Sequence, residues 1–330
     1  MKFMKIQPVH SVTVYTGTGG QSHCHCKCQF CTQNYGSNQP PFYQGNIDDV
    51  KKLISAIPGL KEAYILGNPD PVVDPKFCNN AAKLFIKAGC KVMFSTSGIG
   101  GKRTMKTLLD GIPADMVKYV SFSVDSLKPD VTNFLKGVRL PLDQVESGIE
   151  FCIEKGIPVK IQPTLWTVNY EEVESLVTYF FEKFGIKWFT FHVGSLESYH
   201  GEENFHLPAS TVRQVYKKVH QLQERYKLEI KMPLNMLTSD EFEVYSKEYT
   251  PHCKNPTPTD IQVWFTHKGI LASYCSVWPS VNPSACVFAL EKENLIAPGL
   301  NCAHCPVLKA TLGPHFDTEG YTPVCLYYKP

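Results

Sequence analysis

Four cysteines lie within eight residues of each other near the N-terminus, in the run CHCKCQFC from Cys24 to Cys31. Three of them follow the spacing Cys24-x3-Cys28-x2-Cys31. Three thiolates on one short loop can hold three irons of a [4Fe–4S] cluster. The fourth iron then has no protein ligand and is open to a small chelating molecule. We interpret Cys26, the remaining cysteine, as a residue that does not bind the cluster.

A zinc knuckle or a disulfide cluster is the alternative for this loop. Zinc sites usually combine Cys-x2-Cys with a second such pair or with His-x3-5-His, and His23 and His25 do not follow that pattern. The segment Met1–Lys5 lacks the apolar core of a signal peptide. Thirteen cysteines without a secretion signal favour metal binding in a reducing compartment over disulfides. We therefore predict a cytoplasmic iron–sulfur protein.

With Phe30 directly before the last cysteine, the loop resembles the signature of the radical S-adenosylmethionine (SAM) superfamily. The resemblance implies that SAM binds the open iron through its amino and carboxylate groups, with Phe30 against its adenine. It also implies that an electron, supplied by a flavodoxin- or ferredoxin-type protein, passes through the cluster and cleaves the sulfonium. The resulting 5′-deoxyadenosyl radical abstracts hydrogen from a substrate. In such enzymes the cofactor carries the difficult chemistry and the protein positions it.

Composition excludes several other classes of protein. The chain is 43% hydrophobic and 19% charged, as is usual for globular proteins. A formal net charge of +2 argues against a nucleic-acid-binding surface. No apolar run approaches the roughly 18 residues that a membrane span requires. We therefore expect neither a nucleic-acid partner nor a membrane.

The elements that must position the cysteine loop alternate between strands and helices. Such a pattern, in units of about 30 residues, is typical of a parallel sheet covered by helices. A closed (β/α)8 barrel needs eight units and about 250 residues, and only six units are found before residue 228. We predict an α/β fold with a partial (β/α)6 TIM-like barrel at residues 1–227; a flat doubly wound sheet is the alternative. The six predicted strands are 10–17, 63–66, 91–95, 119–124, 159–162 and 188–192.

Residues 10–195 resemble one branch of the superfamily, the GTP cyclase of molybdenum-cofactor biosynthesis and its relatives. The resemblance is specific in SFSVDSLKP, from Ser121 to Pro129, followed by Gly137 and by GIPVK, from Gly156 to Lys160. The chain lacks the arginine-rich run that follows the cyclase's last cysteine pair, so we do not expect that cyclase itself. The resemblance implies roles at the strand ends for SAM-binding residues Gly67, Asn68, Asp70, Thr96, Ser97 and Ser123, and for Lys160 in binding substrate.

Several of these roles have simpler alternatives. The Gly-Gly-Glu segment that binds the SAM amino group in the family is absent here, and Gly67 can be only a turn residue. Ser123 can be a small core residue. Lys160 lies in an apolar strand, where an inward charge needs an anionic partner, although a solvent-facing lysine is the alternative. His192, at the end of the sixth strand, is a candidate catalytic residue or a core histidine.

The last third of the chain is rich in cysteine and predicts a small α+β iron–sulfur domain at residues 228–330. A cysteine, a hairpin near residues 261–274, a second cysteine and a Cys-x2-Cys pair follow in the order of SPASM and twitch domains. Cys286 and Cys325 are not needed for this pattern. One alternative is that Cys325 replaces one of the four ligands and leaves an open iron, and another is a structural zinc site. The resemblance implies a second, auxiliary [4Fe–4S] cluster bound by Cys253, Cys275, Cys302 and Cys305.

Together these features predict a radical SAM enzyme of oxidoreductase or cyclase type. We expect it to act on a nucleotide, a sugar-derived molecule or a peptide in a biosynthetic oxidation or bond-forming step. One alternative is a SPASM-type maturase of ribosomally made peptides. The other is a metal-binding or electron-transfer protein without SAM chemistry, which the missing Gly-Gly-Glu segment favours.

Overall fold

A computed structural model describes residues 9–31, 41–194, 205–248, 260–267, 269–273, 287–289 and 319–325. The radical SAM-like cysteines Cys24, Cys28 and Cys31 are among them. Five cysteines of the C-terminal third lie outside the described residues, so their predicted roles stay predictions: Cys253, Cys275, Cys286, Cys302 and Cys305.

Sixteen strands and eight α-helices are present in the described part of the chain. The strands are β1 (Ser11–Tyr15), β2 (Gly17–Thr18), β3 (Tyr43–Gln44), β4 (Glu62–Gly67), β5 (Lys91–Thr96), β6 (Val117–Phe122), β7 (Val159–Ile161), β8 (Thr164–Leu165), β9 (Trp188–Thr190), β10 (His192–Val193), β11 (Glu229–Lys231), β12 (Leu234–Leu237), β13 (Asp260–Thr266), β14 (Gly269–Ser273), β15 (Val287–Ala289) and β16 (Thr322–Cys325). The helices are α1 (Ile47–Ala56), α2 (Pro75–Lys87), α3 (Gly101–Leu108), α4 (Pro129–Lys136), α5 (Leu142–Glu154), α6 (Val173–Phe184), α7 (Ala209–Tyr226) and α8 (Ser239–Glu248).

The central sheet has ten strands in the order β11-β9-β7-β6-β5-β4-β1-β13-β14-β15. Neighbouring strands from β11 to β13 are parallel, and β14 and β15 are antiparallel additions at one edge. The six strands predicted from sequence correspond to β1, β4, β5, β6, β7 and β9. Their spatial order follows the chain without reversal, so right-handed crossovers place the helices on one face. A doubly wound sheet requires a reversal of strand order, so that alternative is wrong and the sheet is consistent with a partial TIM-like barrel.

Two further strands extend the parallel sheet beyond the six that were predicted. Strand β11 follows α7 and pairs in parallel with β9, so the sheet continues one strand beyond the six units predicted before residue 228. Strand β13 pairs with β1 over the whole length of β1, although its hairpin with β14 was predicted to belong to the C-terminal domain. Strands from both sides of the predicted domain boundary, between residues 227 and 228, therefore belong to one sheet. The division into two domains stays a prediction.

Alternation along the strands separates an apolar face from a polar one. The apolar face includes side chains that are at most 1% exposed: Val12, Val14, Ala63 and Ile65. Helix α2 packs on this face at β4 and β5, and α5 packs on it at β6 and β7. Successive side chains of a strand point to opposite faces. The opposite face, called the inner face here, therefore carries the polar and aromatic residues that alternate with this core, including Thr13, Tyr64, Tyr119, Ser121 and Lys160.

Among the described residues, none of the helices has the length and hydropathy needed to cross a bilayer.

Candidate active site

The cysteine loop lies at the edge of the sheet where the parallel strands end, which is where α/β folds place their ligands. Backbone hydrogen bonds fix the loop on the last turn of α4. The Lys27 N–H donates to the Lys136 carbonyl at 2.8 Å, and the Gln29 N–H donates to the Leu135 carbonyl at 3.0 Å. Helix α4 therefore determines where the loop places the three predicted ligand cysteines.

Gly137 allows this close approach. Its φ of 62° lies in the left-handed region, which favours glycine. A Cβ atom built on it would lie 2.2 Å from the Lys27 carbonyl oxygen, in the cysteine loop itself. A side chain at residue 137 would therefore push the loop away from α4.

The three predicted ligands differ from the fourth cysteine in burial. Cys24, Cys28 and Cys31 are partly exposed, whereas Cys26 is 3% exposed. The Cys26 thiol contacts the thiols of both Cys24 and Cys28. Three accessible thiols on one loop are the donor set that three corners of a [4Fe–4S] cluster need, so the residues fit that group. The described His, Cys, Asp and Glu side chains contain no set of three arranged around a single metal ion.

A buried ion pair between Lys136 and Asp125 lies next to the cysteine loop. The Lys136 ammonium lies 2.7 Å from Asp125 Oδ2 and donates to Ser123 Oγ at 2.7 Å. The two charged side chains are only 3% and 0% exposed, and the ammonium also lies 5.5 Å from the centre of the Phe30 ring. Burial lowers the pKa of Lys136, but the Asp125 carboxylate and the nearby Cys28 thiol outweigh it, so the pKa is raised above its usual value.

Asp125 is in turn fixed by the segment after β7. Its Oδ1 accepts a hydrogen bond from the Thr164 N–H at 2.8 Å, and its backbone carbonyl accepts from Asn169 Nδ2 at 2.7 Å. Sequence reasoning identified neither Asp125 nor Lys136 as a site residue. The only signals were an acidic residue just after a strand and a lysine next to Gly137.

The other predicted SAM-binding residues form a connected row at the ends of β4, β5 and β6. Asp70 Oδ2 accepts from the Ser97 N–H at 2.8 Å. The Ser123 N–H donates to the Thr96 carbonyl at 2.9 Å, and Thr96 Oγ1 accepts from the Gly98 N–H at 3.0 Å. The structure therefore brings Asp70, Thr96, Ser97 and Ser123 to one edge of the sheet, next to the cysteine loop's support.

Gly67 and Asn68 have structural roles within the described part of the chain. Gly67 has φ 74°, and a Cβ on it would lie 2.5 Å from the Pro71 nitrogen, so the turn requires glycine. Asn68 Nδ2 donates to the Tyr43 carbonyl at 2.9 Å and to Gln44 Oε1 at 3.2 Å. These contacts attach β3 to the end of β4. A role of either residue in binding SAM stays a prediction.

Lys160 lies on the inner face, among aromatic rings. Its Nζ is 4.2 Å from the centre of the Tyr119 ring and 5.8 Å from that of Tyr64. No carboxylate of the described residues lies within ion-pair distance of it. Burial, followed by repulsion from Lys231, lowers the pKa of Lys160 to about 8. The inner face thus holds a cation that the described protein leaves without a counter-ion.

His192 is joined to β6 through Gln162, a residue that sequence reasoning missed. Ser121 Oγ donates to Gln162 Oε1 at 2.8 Å, and Gln162 Nε2 lies 2.8 Å from His192 Nε2. An amide nitrogen can only donate, so His192 Nε2 accepts and the ring proton is assigned to Nδ1. Burial, with repulsion from Lys160, lowers the pKa of His192 to about 4, and the imidazole is therefore neutral at pH 7.

This environment predicts a specific pH dependence of stability. Because the pKa of His192 falls from 6.5 to about 4 on folding, the unfolded chain binds a proton first as the pH drops. Stability is therefore present above pH 6.5 and is lost by about 1–3 kcal/mol as the pH falls towards 4. The variant Gln162→Glu places a carboxylate next to the imidazole, which raises the pKa of His192. The loss of stability at low pH should therefore be much smaller in this variant. Urea unfolding at pH 7 and pH 5 measures the difference.

The control is Gln214→Glu, which makes the same chemical change on an exposed position of α7. It should follow the wild-type pH dependence. An imidazole titration by NMR that gave His192 a pKa near 6.5 in the wild-type protein would contradict the described burial.

Comparison with known proteins agrees with this site. The model of the Radical SAM superfamily matches residues 20–180. The matched range begins before the cysteine loop and includes Asp70, Lys136 and Lys160. Residues 20–180 are therefore similar to the Radical SAM superfamily.

Solved structures share the fold at low sequence identity. SuiB from Streptococcus suis, bound to the precursor peptide SuiA, is 17% identical with a TM-score of 0.60, covering 96% of this chain and 67% of that one. The anSMEcpe structure with bound AdoMet is 13% identical with a TM-score of 0.62, covering 86% and 79%. The chain thus spans about two thirds of the length of SuiB. No curated protein sequence matches the chain, and none of these findings identifies the GTP-cyclase branch.

Proposed function

We propose that this protein is a radical SAM enzyme that cleaves SAM reductively at a [4Fe–4S] cluster held by Cys24, Cys28 and Cys31. The observation that carries the proposal is the position of the three-thiol loop. It is fixed on α4 above the buried pair of Lys136 and Asp125, inside the residues that match the superfamily. When bound, the cluster would supply the electron for cleavage. The side chains of this protein would bind and orient SAM and the substrate.

Ser123 is suited to the negative end of SAM, because it is only partly buried and its Oγ, which accepts from the Lys136 ammonium at 2.7 Å, keeps its own proton to donate. Lys136 is buried against Asp125 and holds Ser123 in place. The row of Asp70, Thr96 and Ser97 supplies a carboxylate and hydroxyls for the amino group and the ribose. Phe30, whose ring centre is 5.5 Å from that of Trp166, supplies the flat apolar surface for adenine.

The substrate would lie over the inner face, near Lys160 and His192. The ammonium of Lys160 is buried without a carboxylate among the described residues, which favours a substrate with an anionic or strongly polar oxygen. His192 is neutral and its Nε2 accepts from Gln162, so its Nδ1–H is the group that can donate a hydrogen bond without adding charge. A nucleotide, a sugar derivative or a peptide carboxylate all have such a group.

A peptide substrate is the second candidate. It is supported by the fold shared with SuiB, which binds the peptide SuiA, and with anSMEcpe, one structure of which contains the Kp18Cys peptide. The proposed auxiliary [4Fe–4S] cluster of Cys253, Cys275, Cys302 and Cys305 would accept an electron from the substrate radical. That role suits a net oxidation or a bond-forming reaction.

Replacing Lys160 should stabilise the protein while harming its function. Because the pKa of Lys160 falls from 10.5 to about 8 on folding, charging this group costs free energy at pH 7. Lys160→Met keeps the apolar stem and removes the charge, and should raise the free energy of unfolding by about 1–3 kcal/mol at pH 7. The gain should shrink as the pH rises from about 8 to 10.5, because the unfolded lysine then also loses its proton.

Urea unfolding at pH 7 and pH 10 measures this effect. Lys187→Met is the matched control, since Lys187 is exposed and such changes usually stay within about 0.5 kcal/mol. A loss of stability in Lys160→Met would show that the ammonium has a partner that stabilises it.

Iron content tests the proposal directly. After anaerobic reconstitution, two cubes predict about eight irons and eight sulfides per chain. Replacing Cys24, Cys28 and Cys31 together with alanine should leave about four of each and abolish SAM binding. Unchanged iron in the triple variant would refute the assignment of these ligands. Iron that falls to zero would mean that the C-terminal cysteines hold no cluster of their own.

A further inference from the structure

Aromatic rings enclose the amine of Lys160 on the inner face of the sheet. The rings of Tyr119 and Tyr64, 4.2 Å and 5.8 Å from its Nζ, meet each other edge to face at 5.9 Å. Trp188, the residue that pairs with Lys160 on β9, packs edge to face on Tyr119 at 5.3 Å. The amine therefore lies in a largely apolar environment, while the residue keeps partial contact with solvent.

Two lysines close to Lys160 have carboxylate partners, whereas Lys160 itself has no ion pair among the residues that the structure describes. Lys118 lies 2.7 Å from Glu62, and Lys231 lies 3.2 Å from Glu229. Both neighbouring ammonium groups repel a positive charge on Lys160. The protein thus surrounds this amine with conditions that disfavour its protonation.

An apolar pocket and a neighbouring cation are the two conditions that turn a lysine into a nucleophile at neutral pH. With a pKa of about 8, roughly a tenth of the Lys160 amines are neutral at pH 7. A lysine with the ordinary pKa of 10.5 has about one neutral amine in 3000. The titratable and charged groups that face Lys160 are Tyr64, Lys118, Tyr119, His192, Glu229 and Lys231.

We propose that Lys160 forms an imine with a carbonyl carbon of the substrate, which is therefore an aldehyde or a ketone. The inference rests on the proposed function, because this carbonyl compound would be the substrate of the radical reaction. The neutral amine adds to the carbonyl carbon, and both amine hydrogens then leave with the carbonyl oxygen as one water molecule. No oxidant or reductant is needed, and addition of one water to the imine releases the product.

The imine would position the substrate for the radical reaction. It fixes one carbon atom of the substrate to β7 on the inner face, which removes translational freedom before hydrogen abstraction. A carbonyl oxygen is also one of the strongly polar oxygens that a lysine in this environment favours.

An ion pair with an anionic group of the substrate is the other use for this lysine. It requires the ammonium, which the contact with the Tyr119 ring favours, whereas the imine requires the neutral amine. Burial and repulsion from Lys231 outweigh that contact. The two uses predict opposite reactivities of Lys160 towards carbonyl compounds, so a labelling experiment separates them.

The test is reductive labelling of the reconstituted protein with glyoxylate and sodium cyanoborohydride, which supplies the hydride that converts an imine into a stable secondary amine. Peptide mapping by mass spectrometry gives the rate at each lysine. At pH 7 we expect Lys160 to react at least about tenfold faster than the exposed Lys187, with a half-maximal rate near pH 8. Acetaldehyde, a carbonyl compound without charge, should give the same order.

Two substitutions on β11 change the charge near the amine in opposite directions. Lys231→Gln removes the repulsion, raises the pKa of Lys160 and should slow labelling at pH 7 by about twofold or more. Glu229→Gln removes an attraction and should speed it. Both residues are exposed, so we expect both variants to fold, and a purely structural lysine would not respond with opposite signs.

Equal labelling of Lys160 and Lys187, or equal rates at Lys160 in the two charge variants, would overturn the proposal. So would slow labelling of Lys160 combined with stabilisation of the protein by malonate, a dicarboxylate without a ketone or aldehyde, which would assign the site to an ion pair. Labelling does not depend on SAM cleavage. A rapid adduct in a protein that leaves SAM intact would refute the proposed function alone, and 5′-deoxyadenosine without the adduct would refute the imine alone.

Discussion

Replacement of Lys136 by methionine is expected to destabilise the protein by about 3–5 kcal/mol, because it leaves the Asp125 carboxylate buried without its counter-ion. Both side chains of the pair are at most 3% exposed, so water cannot take the place of the lost ammonium. The loop that Lys136 and Leu135 hold should also loosen, and reconstitution should give less cluster. Urea unfolding and iron content measure the two effects separately.

Lys118→Met is the matched control for this prediction. Lys118 also forms an ion pair, with Glu62 at 2.7 Å, but the two side chains are 40% and 33% exposed. Pairs of that kind contribute about 0–1 kcal/mol. In the double variant Lys136→Met/Asp125→Asn the unpaired charge is gone, and Asn can still accept from the Thr164 N–H, so part of the stability should return. A Lys136→Met protein no less stable than Lys118→Met would contradict the description of the pair.

Replacement of Cys28 by alanine is expected to abolish SAM cleavage, with a loss of more than about 100-fold. Even residues that only orient a metal's ligands typically change affinity or activity 10- to 100-fold, and a ligand itself should matter more. Cys26→Ala is a control in the same loop. Because Cys26 is 3% exposed and is interpreted as a non-ligand, its replacement should leave the iron content and the EPR signal of the reduced cluster in place.

The pair of variants distinguishes two assignments of the loop. If Cys26→Ala loses the cluster and Cys28→Ala keeps it, the ligand set includes Cys26 and the spacing was misinterpreted. If neither variant loses iron, the loop does not hold the cluster.

The six strands could be predicted from sequence because each is an apolar run that ends at turn residues and is followed by a helix. Strand β11 could not, since three residues with a single buried side chain, Ile230, carry almost no periodic signal. Strand β13 was predicted as a strand, but its pairing with β1 joins residues about 250 positions apart. Local patterns give no information about such a pairing.

The candidate site was predictable where its chemistry is local in the chain. The spacing of Cys24, Cys28 and Cys31 is complete within eight residues, so it could be identified directly. Lys136 and Gln162 could not, because their importance depends on partners that folding brings to them. Lys136 contacts a loop more than 100 residues earlier, and Gln162 bridges two other strands. Asn68 shows the reverse case, in which a residue chosen by resemblance makes structural contacts.

The central claim is that this chain cleaves SAM at the cluster of the cysteine loop. The most direct measurement is the yield of 5′-deoxyadenosine after anaerobic reconstitution with iron and sulfide, reduction with dithionite and addition of SAM. We expect 5′-deoxyadenosine from the wild-type protein and from Cys26→Ala, and none above background from Cys28→Ala. Intact SAM in the presence of a fully loaded, reduced wild-type cluster would contradict it and would leave a metal-binding or electron-transfer protein.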